Sequence, residues 1–253
     1  MRIWHQSYVD YENGATYWDA LRPHLAASAS QGVSVEVHGV TPHDNYAHPI
    51  VEFRCARQVI KNAVRAEREG WDAFVFGHFQ DAGLLEARSV VDIPVIGLGE
   101  ASMLAACQLG RRIGVVTINP RYTPWIERQI AAYGLERRVT DVHAMTFQPG
   151  EILAAFHDET RFDEVVASFR RQAEPLVDSG VEVIIPGGGI PMLLFSRLHD
   201  FRVADAPVMN GLPVALRQAE MMVALKRLSG LGVSRSAEFA RPPAEVLQQF
   251  LDD

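Results

Sequence analysis

The sequence predicts an α/β fold of two similar doubly wound halves, each built on a four-stranded parallel sheet and related by a pseudo-twofold axis. Three observations predict it. Strand-like runs alternate with helix-like runs along nearly the whole chain, the βαβα order of a parallel sheet covered by helices. Several strand runs, Ala73–Phe76 and Ile113–Thr117 among them, are continuous rather than alternating, as expected of strands buried on both faces. The chain also repeats itself. Residues 70–84 line up with 180–194 and residues 1–7 with 111–117, both at an offset of 110, while 92–101 lines up with 205–215 at an offset of 113.

In chain order, the first half holds strand starts at Met1–Trp4, Val33–Val37, Ala73–Phe76 and Pro94–Ile96. The second holds Ile113–Thr117, Val183–Ile185 and Pro207–Met209. Between them, Val51, Cys55, Val59, Ile60 and Val64 recur at helical spacing within Val51–Glu69. The last long helix, Gly211–Leu228, is expected to pack back on the first half. The expected division is residues 1–98 plus 211–253 for one half and 99–210 for the other, with the active-site cleft between them.

Composition excludes several function classes. Among 253 residues, 31 Asp and Glu outnumber 24 Lys and Arg, for a net charge of −7, so the basic footprint of nucleic-acid binding is missing. No run approaches the ~18 apolar residues of a membrane span. The start, MRIWHQSYVD, is broken by His5, Gln6 and Asp10 and does not read as a leader. Cys55 and Cys107 cannot build a disulfide framework, and both fall in helix-like stretches where cysteine is a small buried apolar residue. The expectation is a cytoplasmic protein whose partner is a small-molecule substrate, with no nucleic acid and no membrane.

Ligands of open α/β sheets sit beyond the carboxyl ends of the strands. The third strand ends in Gly77-His78-Phe79-Gln80-Asp81-Ala82-Gly83, and its counterpart in Pro186-Gly187-Gly188-Gly189-Ile190-Pro191. An imidazole at His78 suits general acid–base work. The N–H groups of Gly187, Gly188 and Gly189 can approach a carboxylate or developing oxyanion, or the glycines can simply make a tight turn. Gln6 and Ser7 after the first strand, Thr117 and Asn119 after its counterpart, and Asn210 before the last long helix can hydrogen-bond a small carboxylate or amide. Thr117 and Asn119 also suit helix caps, and Glu100 is read as the cap of the helix beginning beside it. GxGxxG is not met, so no dinucleotide site is expected. An alternative set of metal ligands is His5, His43, His48 and His78, although their spacing matches no strong zinc signature.

The segments Gly77–Leu84, Pro94–Ala101, Leu109–Thr117 and Pro120–Leu135 resemble the aspartate/glutamate racemase superfamily, most closely its hydantoin racemase branch, and the likeness extends to about Leu228. The resemblance implies two Rossmann-like halves, an interdomain active site, no organic cofactor and a homo-oligomer. It also implies proton abstraction next to a carbonyl by one cysteine, with return from a second cysteine on the opposite face. Relatives with one cysteine decarboxylate arylmalonates, and two-cysteine relatives isomerise maleate. The family's first cysteine falls on His78 and its second on Gly188, so both thiols are replaced. The tail Ser234–Asp253 is extra to the family pattern.

The implied function is a cysteine-less member acting by proton transfer next to the carbonyl of a small carboxylate or cyclic amide, of isomerase or decarboxylase/lyase type. His78 would serve as acid/base, with Gly188 opposite it. The alternatives are a hydrolase or lyase that uses a divalent metal on the same scaffold, and a non-catalytic small-ligand binding protein.

Overall fold

A computed structural model of the chain describes residues 1–10, 14–42 and 46–252. Strands β1 (Arg2–Gln6), β2 (Ser34–His38), β3 (Ala73–Phe76) and β4 (Val95–Ile96) alternate with helices α1 (Ala15–Ser28), α2 (Pro49–Arg68) and α3 (Leu84–Val90). They form one parallel sheet in the order β2-β1-β3-β4. After α4 (Leu98–Ala106) the pattern restarts with β5 (Ile113–Thr117), α5 (Thr123–Ala132), β6 (Val139–Ala144), α6 (Pro149–Ala154), α7 (Glu159–Asp178), β7 (Val183–Gly187) and α8 (Gly189–Phe195). These strands form a second parallel sheet, β6-β5-β7. A short antiparallel pair, β8 (Arg202–Val203) and β9 (Ala206–Pro207), precedes α9 (Gly211–Ser229) and α10 (Ala244–Asp252).

Both sheets place the first strand between the second and the third, the two-half architecture that the internal repeat predicts. Two details depart from expectation. The second sheet has three strands rather than four. Arg202–Pro207 folds back as the β8–β9 pair, which leaves only one bridge from Val208 to Ile184 where a fourth strand was expected. The sequence reading also lacks β6, whose VTDVHA buries only Val139 and so carries none of the apolar continuity of the central strands.

The continuous apolar runs are strands covered on both faces. Phe74 and Phe76 pack with Trp4, Val59 and Val64 in one core cluster, while Ala73 and Val75 pack with Ile3 and Ile96 in another. Helix α2 starts with His48 as its cap and Pro49 in its first turn, and its apolar face covers the first of these clusters. That placement matters below, because Glu52 lies in its first turn. Helix α9 lies against α1, α4, β3 and β4. Among the described residues, no helix is long and apolar enough to cross a membrane.

Candidate active site

The carboxyl ends of β3 and β7 meet. Gly189 comes so close to the other half that a Cβ there would lie 2.4 Å from the carbonyl oxygen of Gly77, so only a residue without a side chain permits the approach. The contact closes a cleft of about 60 Å³, lined by Ser7, Tyr8, Tyr17 and His78 from the first half and by Tyr122 and residues 187–191 from the second. At ~10–15 Å³ per water, it has room for roughly four to six waters.

His78 forms one wall. Its ring stacks flat on Tyr8, with centroids 4.1 Å apart and planes 3° from parallel. Its Nε2 lies 2.8 Å from Oε1 of Glu52, and the two side chains are only 15% and 13% exposed. Tyr8 is in turn held by its hydroxyl, which donates to the carbonyl of Ala82 at 2.6 Å. An ionised carboxylate can only accept, so the contact with Glu52 assigns a proton to Nε2. A carboxylate in this position orients the imidazole and stabilises its protonated form.

The other polar side chains of the lining are neutral, the hydroxyls of Ser7 and the tyrosines together with the Gln80 amide. Ser7 Oγ and Tyr17 Oη are 3.1 Å apart, and Ser7 Oγ also accepts from the Val9 N–H at 3.2 Å. Burial pushes the Tyr17 phenol up to about 12, against the pull of the Ser7 hydrogen bond, so it remains a donor at neutral pH. Among the described residues, no lysine or arginine lines the cleft.

The glycine turn differs from expectation in one respect. Gly188 donates its N–H to the carbonyl of Pro186 at 2.8 Å, which spends on the turn a donor expected to hold an oxyanion. Its backbone is extended, but a Cβ there would lie 2.9 Å from Cδ and 3.1 Å from Cγ of Pro191. We therefore expect Gly188→Cys to cost about 1–2 kcal/mol of stability through overpacking, and Pro191→Ala in the same chain to recover most of that loss. Urea unfolding of the single and double variants measures it. A single variant as stable as wild type would show that the ring yields freely.

Ser7, His78 and the three glycines are brought together, whereas the other residues singled out in the sequence are placed elsewhere. Gln6 accepts from Trp4 Nε1 at 3.0 Å and Asn62 Nδ2 at 2.9 Å and donates to the carbonyls of Ser7 and Gly39, so its amide is spent inside the frame. Thr117 donates its hydroxyl to the Gly187 carbonyl at 3.0 Å and shapes the turn from below. Asn119 accepts from the Arg121 N–H at the start of a 3₁₀ turn. Asn210 accepts from the Leu212 N–H, capping α9, and lines a separate cavity with His24.

The alternative metal ligands are not gathered either. His48 Nδ1 accepts from the Ile50 N–H at the cap of α2. His5 is buried beneath Gly77, where burial, reinforced by the charge of His38, lowers its pKa to about 4. His43 lies outside the described residues, among which no group of three or more His, Cys, Asp or Glu could hold a metal ion. Cys55 is buried in α2 and Cys107 follows α4; neither lines the cleft.

Two acids hold places that the sequence did not assign to them: Glu52 was not singled out, and Asp81 was read only as a possible companion of the histidine metal ligands. Glu52 lies 26 residues before His78, and its only signal was a place in the first turn of a predicted helix. Asp81 accepts from the N–H groups of Gly99 and Glu100, from the Tyr133 hydroxyl and from Gln129 Nε2. Burial raises its carboxyl to about 6 against those donors. Asp81 therefore caps α4 in the role expected of Glu100, and Glu100 instead makes a two-pronged pair with Arg88.

Two similar α/β halves whose strand ends close on one small cleft define a two-domain, Rossmann-like scaffold. Residues 11–219 match the family model described as Asp/Glu/Hydantoin racemase, and the chain belongs to that family. It is 31% identical to a hydantoin racemase of Rhizobium meliloti over 178 residues, covering 70% of this chain and 69% of the relative. The allantoin racemase from Klebsiella pneumoniae has the same fold, with a TM-score of 0.77 and 25% identity over 96% of this chain and 94% of that one. An allantoin racemase from Pseudomonas fluorescens matches with a TM-score of 0.74 and 26% identity, over 96% of this chain and 97% of that one.

Proposed function

We propose that the chain is an enzyme that moves a proton at a carbon next to the carbonyl of a small, neutral cyclic amide, from one face, with His78 as the base. The observation that carries this reading is the Glu52–His78 pair on one side of a cleft whose other side, at Gly188, offers no side chain. The resemblance to racemases that use two thiols gives that asymmetry its meaning, because the positions of the paired thiols are His78 and Gly188.

Two further observations support the substrate class. A carboxylate would find no cation among the described lining residues, whereas a ring carbonyl would meet the Ser7 and Tyr17 hydroxyls. The relatives named above are racemases of hydantoin and allantoin, both cyclic amides. In this reading, the His78 imidazole takes the proton, Glu52 stabilises the imidazolium, and the hydroxyls donate to the oxygen that gains charge. Residues of the chain suffice for each step, and the reading needs no organic cofactor or metal.

The test is stereochemical. One enantiomer of 5-methylhydantoin, incubated in deuterated water at pH 7, should gain deuterium at its ring carbon with retained configuration. Racemisation keeping pace with deuterium uptake would overturn one-sided transfer.

A further inference from the structure

We propose, resting on His78 as the base, that Gln129 is a positioning residue for the reaction. From the second half it holds the loop that carries His78, and so sets where the imidazole stands across from the glycine turn. Gln129 lies in α5, the helix that follows the cleft residue Tyr122, and its side chain is buried. Its Nε2 donates to the carbonyl of Phe79, the residue after His78, at 2.7 Å and to Oδ2 of Asp81 at 3.0 Å. Both acceptors belong to the loop after β3, so one amide of the second half grips the first half at two points.

The loop needs an outside hold. Asp81 has a left-handed backbone, with φ of 52°, which is unfavourable for a residue with a side chain. Two local hydrogen bonds close the turn, from the Asp81 N–H to the His78 carbonyl at 3.2 Å and from the Leu84 N–H to the Asp81 carbonyl at 3.0 Å. Neither uses the Phe79 carbonyl, which accepts from Gln129.

The amide can face only one way. Reversed, Oε1 would stand against a carbonyl oxygen and a carboxylate oxygen, both acceptors. In the orientation it takes, Oε1 is buried without a partner, an unfavourable placement offset by the two bonds of Nε2. A Cβ at Gly99 would overlap both the Phe79 carbonyl oxygen and Gln129 Nε2, so the second glycine of Gly97-Leu98-Gly99 leaves room for this contact. Tyr133, one turn further along, donates to the same Asp81 oxygen at 2.8 Å and does not hydrogen-bond Phe79.

The experiment compares Gln129→Met, which keeps the volume and removes both donors, with Tyr133→Phe, which removes only a donor to Asp81. Two quantities are measured on folded protein at pH 7. One is kcat and KM for loss of deuterium from the ring carbon of labelled 5-methylhydantoin in ordinary water. The other is the NMR signal of the His78 ring, assigned with His78→Ala. Gln129→Met should lower kcat roughly 10²-fold, the cost of an ångström-scale misplacement, with KM near the wild-type value. It should also shift the ring signal, which depends on the stack against Tyr8. Tyr133→Phe should keep most of kcat and leave the signal in place. Gly99→Ala drives the same contact apart without altering Gln129; it should reproduce both changes, and it replaces Gln129→Met if that variant does not fold. Equal losses in Gln129→Met and Tyr133→Phe would overturn the positioning role, because the effect would then run through Asp81. An unmoved ring signal or a wild-type kcat in Gln129→Met would overturn it too, and with His78→Ala inactive would leave His78 as the base. A wild type that exchanges no label would overturn the proton-transfer reading, and the ring signal alone would then decide the hold on the loop: shifted in Gln129→Met supports it, unmoved overturns it.

Discussion

Replacing His78 by alanine is expected to lower the rate of proton exchange by roughly 10²–10⁴-fold, the usual contribution of a positioned base. The ring is fixed from two directions, by the flat stack on Tyr8 and by the hydrogen bond to Glu52. No other side chain described in the cleft can replace it near neutral pH. The Tyr17 phenol is pushed up to about 12, and Ser7 offers only an unactivated hydroxyl. Affinity should change far less, because the Ser7–Tyr17 pair and the glycine turn remain. His78→Cys should not introduce racemisation, since Gly188 still offers no donor to the opposite face. Comparing kcat and KM for His78→Ala at pH 7 decides the matter: a kcat close to wild type would remove the imidazole from the chemistry.

Acid sensitivity traced to His5 is the second large effect. In the folded chain His5 stays neutral down to about pH 4, held there mainly by burial, whereas in the unfolded chain it takes up a proton near 6.5. The unfolded state thus binds more protons across that window, and this residue makes stability fall as pH drops from about 6.5 to 4, by roughly 3 kcal/mol. Asp81 acts with the opposite sign. Its carboxyl is raised from 3.8 to about 6, so the folded state binds more protons between those values and stability from this group rises as pH falls. The two slopes oppose each other in wild type and mask one another in a single pH profile. Removing the histidine separates them. His5→Asn should gain on wild type by about 3 kcal/mol between pH 6.5 and pH 4. Urea unfolding of both proteins at pH 7, 6, 5 and 4 gives this difference directly, and parallel profiles would rule out His5 as its source.

The architecture was legible where burial writes itself into local sequence. Ala73–Phe76 and Ile113–Thr117 are continuously apolar because both sheet faces are covered, and their flanking segments recur in the other half. β6 was not legible, because a partly exposed edge strand needs no such run. In the site, residues at strand ends could be found from topology alone, which is how Ser7, His78 and the glycine turn were reached. What those atoms bond to could not. Gln6 looks as available as Ser7 until Trp4 and Asn62 are seen holding its amide oxygen. The Gly188 N–H looks free until the Pro186 carbonyl is found beneath it. Glu52 was invisible because the contact that gives it a role is made between a helix and a loop far apart in sequence, with no spacing rule to mark it.

The contact between Gly189 and the Gly77 carbonyl constrains how this site can change its substrate. With the two halves touching through bare backbone, any side chain added at Gly189 pries the strand ends apart instead of reshaping the pocket. The floor is therefore closed to adjustment by point substitution. Room for a larger ring or substituent has to come from the aromatic wall of Tyr8, Tyr17 and Tyr122, where trimming a side chain enlarges the cleft and leaves the junction intact. Substrate range in this chain is tunable from one side, and the same glycine contact that brings His78 opposite the turn keeps the other side constant.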